Sequence, residues 1–188
     1  MIVGIIGSND RAAAIGRLLA RRHTLSFSDP SDPERAKQLA AAIGPPATVV
    51  APYEQIMRSD VVILALAWKD VDRALAAAGP FDGKIVVDAT NADRATAVTS
   101  SELIARKINE DHVVKAFNML PPDTLLRDAE QGIALYYCGD ERHDKAVAAD
   151  LIRDAGYAPI DLGQLRNGRE IEPGGPRFGA EIPADQAA

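Results

Sequence analysis

Residues 2–12 read Ile2-Val3-Gly4-Ile5-Ile6-Gly7-Ser8-Asn9-Asp10-Arg11-Ala12. A short run of β-type residues passes straight into a glycine, and an alanine-rich segment of helical spacing follows. Strand, tight turn and helix in that order open a βαβ unit, and a dinucleotide-binding fold places G-x-G-x-x-G, or its G-x-G-x-x-A variant, at that turn. Here the pattern is G-x-N-x-x-A. Gly7 supplies the tight turn, Ala12 lets the helix approach the strand, and Asn9 stands where a middle glycine would admit a pyrophosphate. Residues Gly7, Ser8, Asn9, Asp10, Arg11 and Ala12 are therefore a candidate phosphate-binding turn, with a ligand-free strand-to-helix connection as the equal alternative.

Downstream, β-type runs at 24–28, 48–50, 61–66, 84–88, 113–117, 133–138 and 158–161 alternate with segments of helical spacing at 11–22, 32–43, 53–58, 69–78, 100–109 and 142–155. This alternation predicts an α/β fold: a Rossmann-type, doubly wound, mainly parallel sheet. Several of the runs are apolar on both faces, as strands covered by helices on both sides are. We expect a dinucleotide-binding unit over 1–119, a short α/β extension of the same sheet over 120–172, and an irregular tail over 173–188, rich in proline and glycine. Ser31 and Asp32 lead into Pro33, a helix-start signal with the proline where its missing N–H costs least.

Asp29 closes the second strand run about 17 residues after Ala12, where a carboxylate accepts hydrogen bonds from the adenosine ribose and favours a 2′-hydroxyl over a 2′-phosphate. The alternative is an Asx turn leading into Pro30. Thr90 and Asn91 end the fifth run at the carboxyl edge, where open α/β sheets bind ligands; both can hydrogen-bond a ribose or a carboxamide, or simply close a strand. Trp68 is either a wall for a nicotinamide or an apolar anchor at a helix start.

The bulk composition narrows the partners. Of 188 residues, 47% are apolar and 26% charged, the balance of a globular chain. A net charge of -6 offers no basic stripe for nucleic acid. The longest apolar run, Val61 to Trp68, has 8 residues, far below the roughly 20 of a membrane span. A lone cysteine, Cys138, and no signal-like leader ahead of Met1 point to a reducing, cytoplasmic setting. His23, His112 and His143 show no ligand spacing, so we expect no metal; Cys138 reads as a small core residue.

Four further segments, Leu64-Ala65-Leu66-Ala67-Trp68, Gly83-Lys84-Ile85-Val86-Val87-Asp88-Ala89-Thr90-Asn91, Val114-Lys115-Ala116-Phe117-Asn118 and Gly139-Asp140, carry a resemblance. Together with the glycine turn, and in order up to about Glu172, they resemble the NADPH-dependent reductases of the deazaflavin coenzyme F420 and their small bacterial relatives, with the reductase domain of eukaryotic membrane metalloreductases as a cousin. The resemblance implies an NAD(P)-dependent oxidoreductase that passes hydride between nicotinamide and a deazaflavin or flavin. Such a transfer asks no acid or nucleophile of the protein, because the cofactors carry the chemistry.

The resemblance also implies a set of positions. Ala67 and Trp68 lie beside the nicotinamide, where the family has proline-tryptophan; Asn118 points toward the second ring, with Met119 to Pro122 as an apolar wall. Lys115 is a candidate ion-pair partner. Ser31 stands where the family's 2′-phosphate arginine would be, so the cofactor is NADP or NAD. The partners expected are small redox cofactors, with a homodimer as the assembly. The departures at Asn9 and Ala67 motivate a rival, a nonenzymatic dinucleotide-binding sensor or scaffold.

Overall fold

The computed structural model describes residues 1–51, 53–93 and 98–187, with the backbone alone at residues 53 and 54. Eight strands form one sheet, β1 (Ile2–Ile6), β2 (Thr24–Ser28), β3 (Ala47–Val49), β4 (Val61–Leu64), β5 (Ile85–Asp88), β6 (Val113–Lys115), β7 (Ala134–Gly139) and β8 (Ala158–Asp161). Their spatial order is β3-β2-β1-β4-β5-β6-β7-β8. All neighbours are parallel except β6 and β7. The chain winds one way from β1 to β3 and then restarts on the other side of β1 with β4, so the direction reverses between β1 and β4. That reversal opens a crevice at the carboxyl ends of those strands.

Strand residues alternate between two apolar layers, which is why the runs are apolar on both faces. Val61 and Ile63 point to the layer under helices α1 (Asp10–Leu19), α2 (Pro33–Ile43), α5 (Pro122–Arg127) and α6 (Arg142–Asp154). Val62 and Leu64 point to the layer under α3 (Val71–Ala78) and α4 (Ser100–Ile108). The doubly wound α/β reading is thus the observed fold.

Local chemistry sets the helix starts. Asp32 caps α2 by accepting from the Arg35 N–H at 2.9 Å. Thr99 and Glu102 form a reciprocal capping box at α4. Several expected elements change. Residues Tyr53–Arg58 form a tight 3-10 segment rather than an α-helix, and α3 is preceded by a 3-10 turn at Trp68–Asp70. The 61–66 run stops at Leu64 and the 113–117 run at Lys115, the latter because Phe117 takes a left-handed φ of 62° that no strand tolerates. Helix α5 was not expected. It starts where Pro121 and Pro122 occupy cap and first-turn positions, which suit proline.

The C-terminal residues are irregular but docked. Gly179 N–H reaches Met119 O at 2.9 Å, Ala134 N–H reaches Ile182 O at 2.9 Å, and Ala184 N–H reaches Gly132 O at 2.8 Å. No helix of the described residues is long and apolar enough to cross a membrane.

Candidate functional site

The site begins at the end of β1. Gly7 has φ 123°, and a Cβ there would lie 2.0 Å from the Ala65 carbonyl oxygen, so both the conformation and the close approach of β4 demand glycine. Asn9 needs no such freedom. It is extended (φ -73°, ψ -179°) and caps α1, its side chain accepting from the Ala12 N–H at 3.0 Å. The replacement of the middle glycine is therefore a trade of open backbone for a cap. Among the described residues the N–H groups of Asp10 and Arg11 take no partner, leaving a helix start able to meet an anion.

A cleft of about 220 Å³ opens beside this turn, lined by Ser8, Asn9, Asp29, Ser31, Ala67 and Lys69 among others. These come from the ends of β1, β2 and β4, the reversal point of the sheet. Asp29 is only 7% exposed. Its Oδ1 accepts from the Ser31 and Asp32 N–H groups at 2.9 and 3.2 Å, and its Oδ2 from the Ser8 hydroxyl at 2.6 Å. The carboxylate builds the Asx turn at the rim of the cleft. Ala67 is exposed at the other rim, and Trp68 is half-buried, one side packed on the apolar layer over α3.

Arg11 departs from the cleft. Its Nη1 donates to Phe117 O at 2.6 Å and to Leu120 O at 2.9 Å, tying the glycine turn to the loop after β6. Burial pulls the guanidinium down to about 10, against the opposing pull of Asp88. Phe117, in its left-handed conformation, is thereby held at the edge of the site. Sequence spacing assigned Arg11 to the pyrophosphate; the side chain is instead a strut.

The ends of β5 and β6 hold a buried polar network. Lys115 is fully buried and its Nζ donates to Asp88 Oδ2 at 2.9 Å, Thr90 O at 2.6 Å and Ser100 Oγ at 2.6 Å. Asp88 also accepts from Ser101 Oγ at 2.6 Å, Thr90 N at 2.8 Å and Thr90 Oγ1 at 2.7 Å. Burial pushes the Asp88 carboxyl up, but Lys115 and these hydrogen bonds outweigh it and hold it below its usual range. Glu172 closes the cluster, accepting from Ser100 N at 2.8 Å and Ser100 Oγ at 2.6 Å. Thr90 thus spends its hydroxyl inside the protein.

Asn91 and Asn118 are clasped. Asn118 Nδ2 donates to Asn91 Oδ1 at 2.9 Å and to Ile171 O at 2.6 Å, and Asn91 Nδ2 donates to Asn118 O at 3.0 Å. Asn118 is fully buried, and its Oδ1 has no partner among the described residues. It does not face open solvent, as the expected second-ring contact would. Met119 and Leu120 are core residues too, so only Pro121 and Pro122 of the expected wall are accessible. Glu172, Ser100 and Ser101 escaped sequence reasoning, since nothing in their spacing announces that they converge on Asp88; the one legible signal was Lys115 in an otherwise apolar strand.

The other ionisable candidates lie elsewhere. His23 pairs with Asp154 and His112 with Asp144, each at a different place in the fold. Cys138 is buried, its thiol pushed up to about 12 chiefly by burial, a core residue in position and chemistry.

With this geometry in view, the relatives can be placed. The chain is 27% identical to rat metalloreductase STEAP3 over 177 residues, 90% of this chain and 35% of that protein, so it spans about a third of the curated relative's length. A hypothetical protein from Sinorhizobium meliloti superposes with TM-score 0.86 at 25% identity, covering 97% of this chain and 95% of that one. An Arthrobacter sp. FB24 protein assigned as an F420-dependent NADP reductase superposes with TM-score 0.73 at 21% identity, covering 86% and 84%. Residues 2–92, from β1 through the end of β5 and Asn91, match the model of the family described as NADP oxidoreductase, coenzyme F420-dependent.

Proposed function

We propose that the protein is an NADP(H)-dependent oxidoreductase that passes hydride directly between nicotinamide and a deazaflavin of the F420 type or a flavin. The observation that carries the reading is the cleft at the β1–β4 reversal, beside the free N–H groups of the α1 start; the Asn91–Asn118 clasp lies beyond it on the same carboxyl edge, after β5 and β6. The residues present fit a dinucleotide: the turn at Gly7 is glycine-specific and the helix start is open to an anion. When bound, the nicotinamide supplies the hydride, and the ring of the acceptor takes it.

The chain's own residues bind and orient. The Asp10 and Arg11 N–H groups meet the pyrophosphate, and Asp29 fixes the loop beside the adenosine ribose. Trp68 walls the ring, and Asn91 is its polar neighbour. Asn118 and Lys115 act through other groups: the first fixes the Asn91 amide, the second fixes the Thr90 carbonyl, and both hold the edge in one conformation. Reacting carbons must lie within about 3.5 Å, so a fixed edge favours turnover more than binding.

Titration of the purified protein with NADPH, NADH, oxidised F420 and FMN, followed for binding and for bleaching of the acceptor, tests the reading. We expect deuterium on the nicotinamide to appear in the reduced acceptor. Asn118→Ala should lower kcat more than it weakens nucleotide affinity. Tight nucleotide binding without reduction of either acceptor would favour the sensor, which the cap at Asn9 makes structurally reasonable.

A further inference from the structure

Ser31 occupies the place where a 2′-phosphate arginine was expected, yet it does not stand alone in the structure. Arg73, on α3, bridges two residues that line the cleft: its Nη2 donates to Ser31 Oγ at 2.5 Å and to Asp70 Oδ1 at 2.8 Å. The two residues are 42 positions apart and belong to opposite rims, one after β2 and one after β4. Resting on the oxidoreductase reading, we propose that Arg73 is the specificity-determining residue that recognises the phosphate on the adenosine ribose of NADP(H), reaching it from α3 with Ser31 as the second donor.

The charges around the mouth support this assignment. Asp29, the group that argued for a bare ribose hydroxyl, lines the cleft but is buried and takes three hydrogen bonds from the protein, so its charge is already partnered. Asp32 is committed to capping α2, and Asp10 pairs with Arg35. Only Asp70 competes for Arg73, as an exposed pair three residues apart, a type of contact that contributes little and yields readily. Arg73 is 59% exposed and its Nε and Nη1 have no partner among the described residues, so a fork of donors is available. A phosphate dianion met by a guanidinium fork and a hydroxyl is a strong, charge-assisted pairing. Arg35 and Lys69, also at this cleft, add positive potential without that reach to Ser31.

Calorimetry on the full chain with NADPH, NADH, adenosine 2′-monophosphate and adenosine 5′-monophosphate tests the assignment. We expect the native protein to prefer NADPH and the 2′-monophosphate, and Arg73→Ala to lose about 10-fold or more in NADPH affinity while NADH changes less than about 2-fold. Arg73→Lys should fall between, since it keeps the charge and loses the fork. Raising salt should erode the preference, because the pair is exposed. An unchanged NADPH to NADH ratio in Arg73→Ala, an equal loss for both, or no preference in the native chain would overturn the assignment alone. A native chain that binds neither dinucleotide overturns the oxidoreductase reading beneath it as well. Thermal melting of each variant excludes unfolding as the cause.

Discussion

The two ends of the carboxyl edge use charge in opposite ways. Around Ser31 the ionic groups are exposed and paired weakly, Arg35 with Asp10 at 51% and 85% side-chain exposure and Arg73 with Asp70 at 59% and 22%. At β5 and β6, Lys115 and Asp88 are both fully buried and saturated with hydrogen bonds. Exposed pairs can exchange a carboxylate for a ligand phosphate at little cost, whereas a buried pair left half-made costs several kcal/mol. The first arrangement suits exchange of partners and the second suits rigidity.

The buried pair is the more sensitive of the two. Lys115→Met leaves the Asp88 charge buried without its partner and should destabilise the fold by about 3–5 kcal/mol in urea unfolding, while Arg73→Ala should stay within about 0.5 kcal/mol of native. The pH dependence has a definite sign. Asp88 is depressed in the fold, so its contribution is present above the unfolded value near 3.9 and is lost only as pH falls through the still lower folded value. Without Lys115 the buried carboxylate is disfavoured instead of favoured, so the deficit of Lys115→Met should shrink as pH falls and Asp88 takes up a proton.

Next in size is Gly7. Gly7→Val forces a β-branched residue to φ 123° against the Ala65 carbonyl, which should cost at least about 1–3 kcal/mol and abolish nucleotide binding in calorimetry. Asn9→Ala removes the cap and should cost about 1 kcal/mol, whereas Asn9→Gly should cost only a few tenths in thermal unfolding. Both variants free the Ala12 N–H, but only Asn9→Gly also removes the Cβ and lets the backbone approach the pyrophosphate, so we expect the tighter NADPH binding from that variant.

The smallest effect lies outside the site. His112 is raised above its ordinary value, mainly by its hydrogen bond to Asp144, so its contribution is complete below about pH 6.5 and fades as pH rises through the higher folded value. The ring is open to solvent, which limits the effect to less than about 1 kcal/mol. Tm measured from pH 6 to 9 should fall less steeply in His112→Gln than in the native protein.

Much of the fold could be read from local pattern. The parallel sheet follows from apolar runs separated by helical spacing, and the α2 start from Asp32 and Pro33, because burial on both faces and capping depend on neighbours within a few positions. Helix α5 escaped because its six residues show too little periodicity to read. The glycine turn was legible as a turn, but Asn9 as a cap required knowing its extended backbone.

Side-chain destinations are a different matter. Local pattern was enough to show that Gly7 turns, that Ala12 packs, that Asp29 closes a strand and that Lys115, inside an apolar run, is a candidate ion-pair partner. The partners themselves were set by tertiary packing: Asp88 from 27 residues away and Glu172 from the C-terminal segment for Lys115, the Phe117 carbonyl for Arg11 and Ser31 for Arg73. The reason is physical. Backbone periodicity is fixed by steric and burial preferences between near neighbours, whereas long side chains with several donors are placed by whichever acceptors the strand order brings to the same edge.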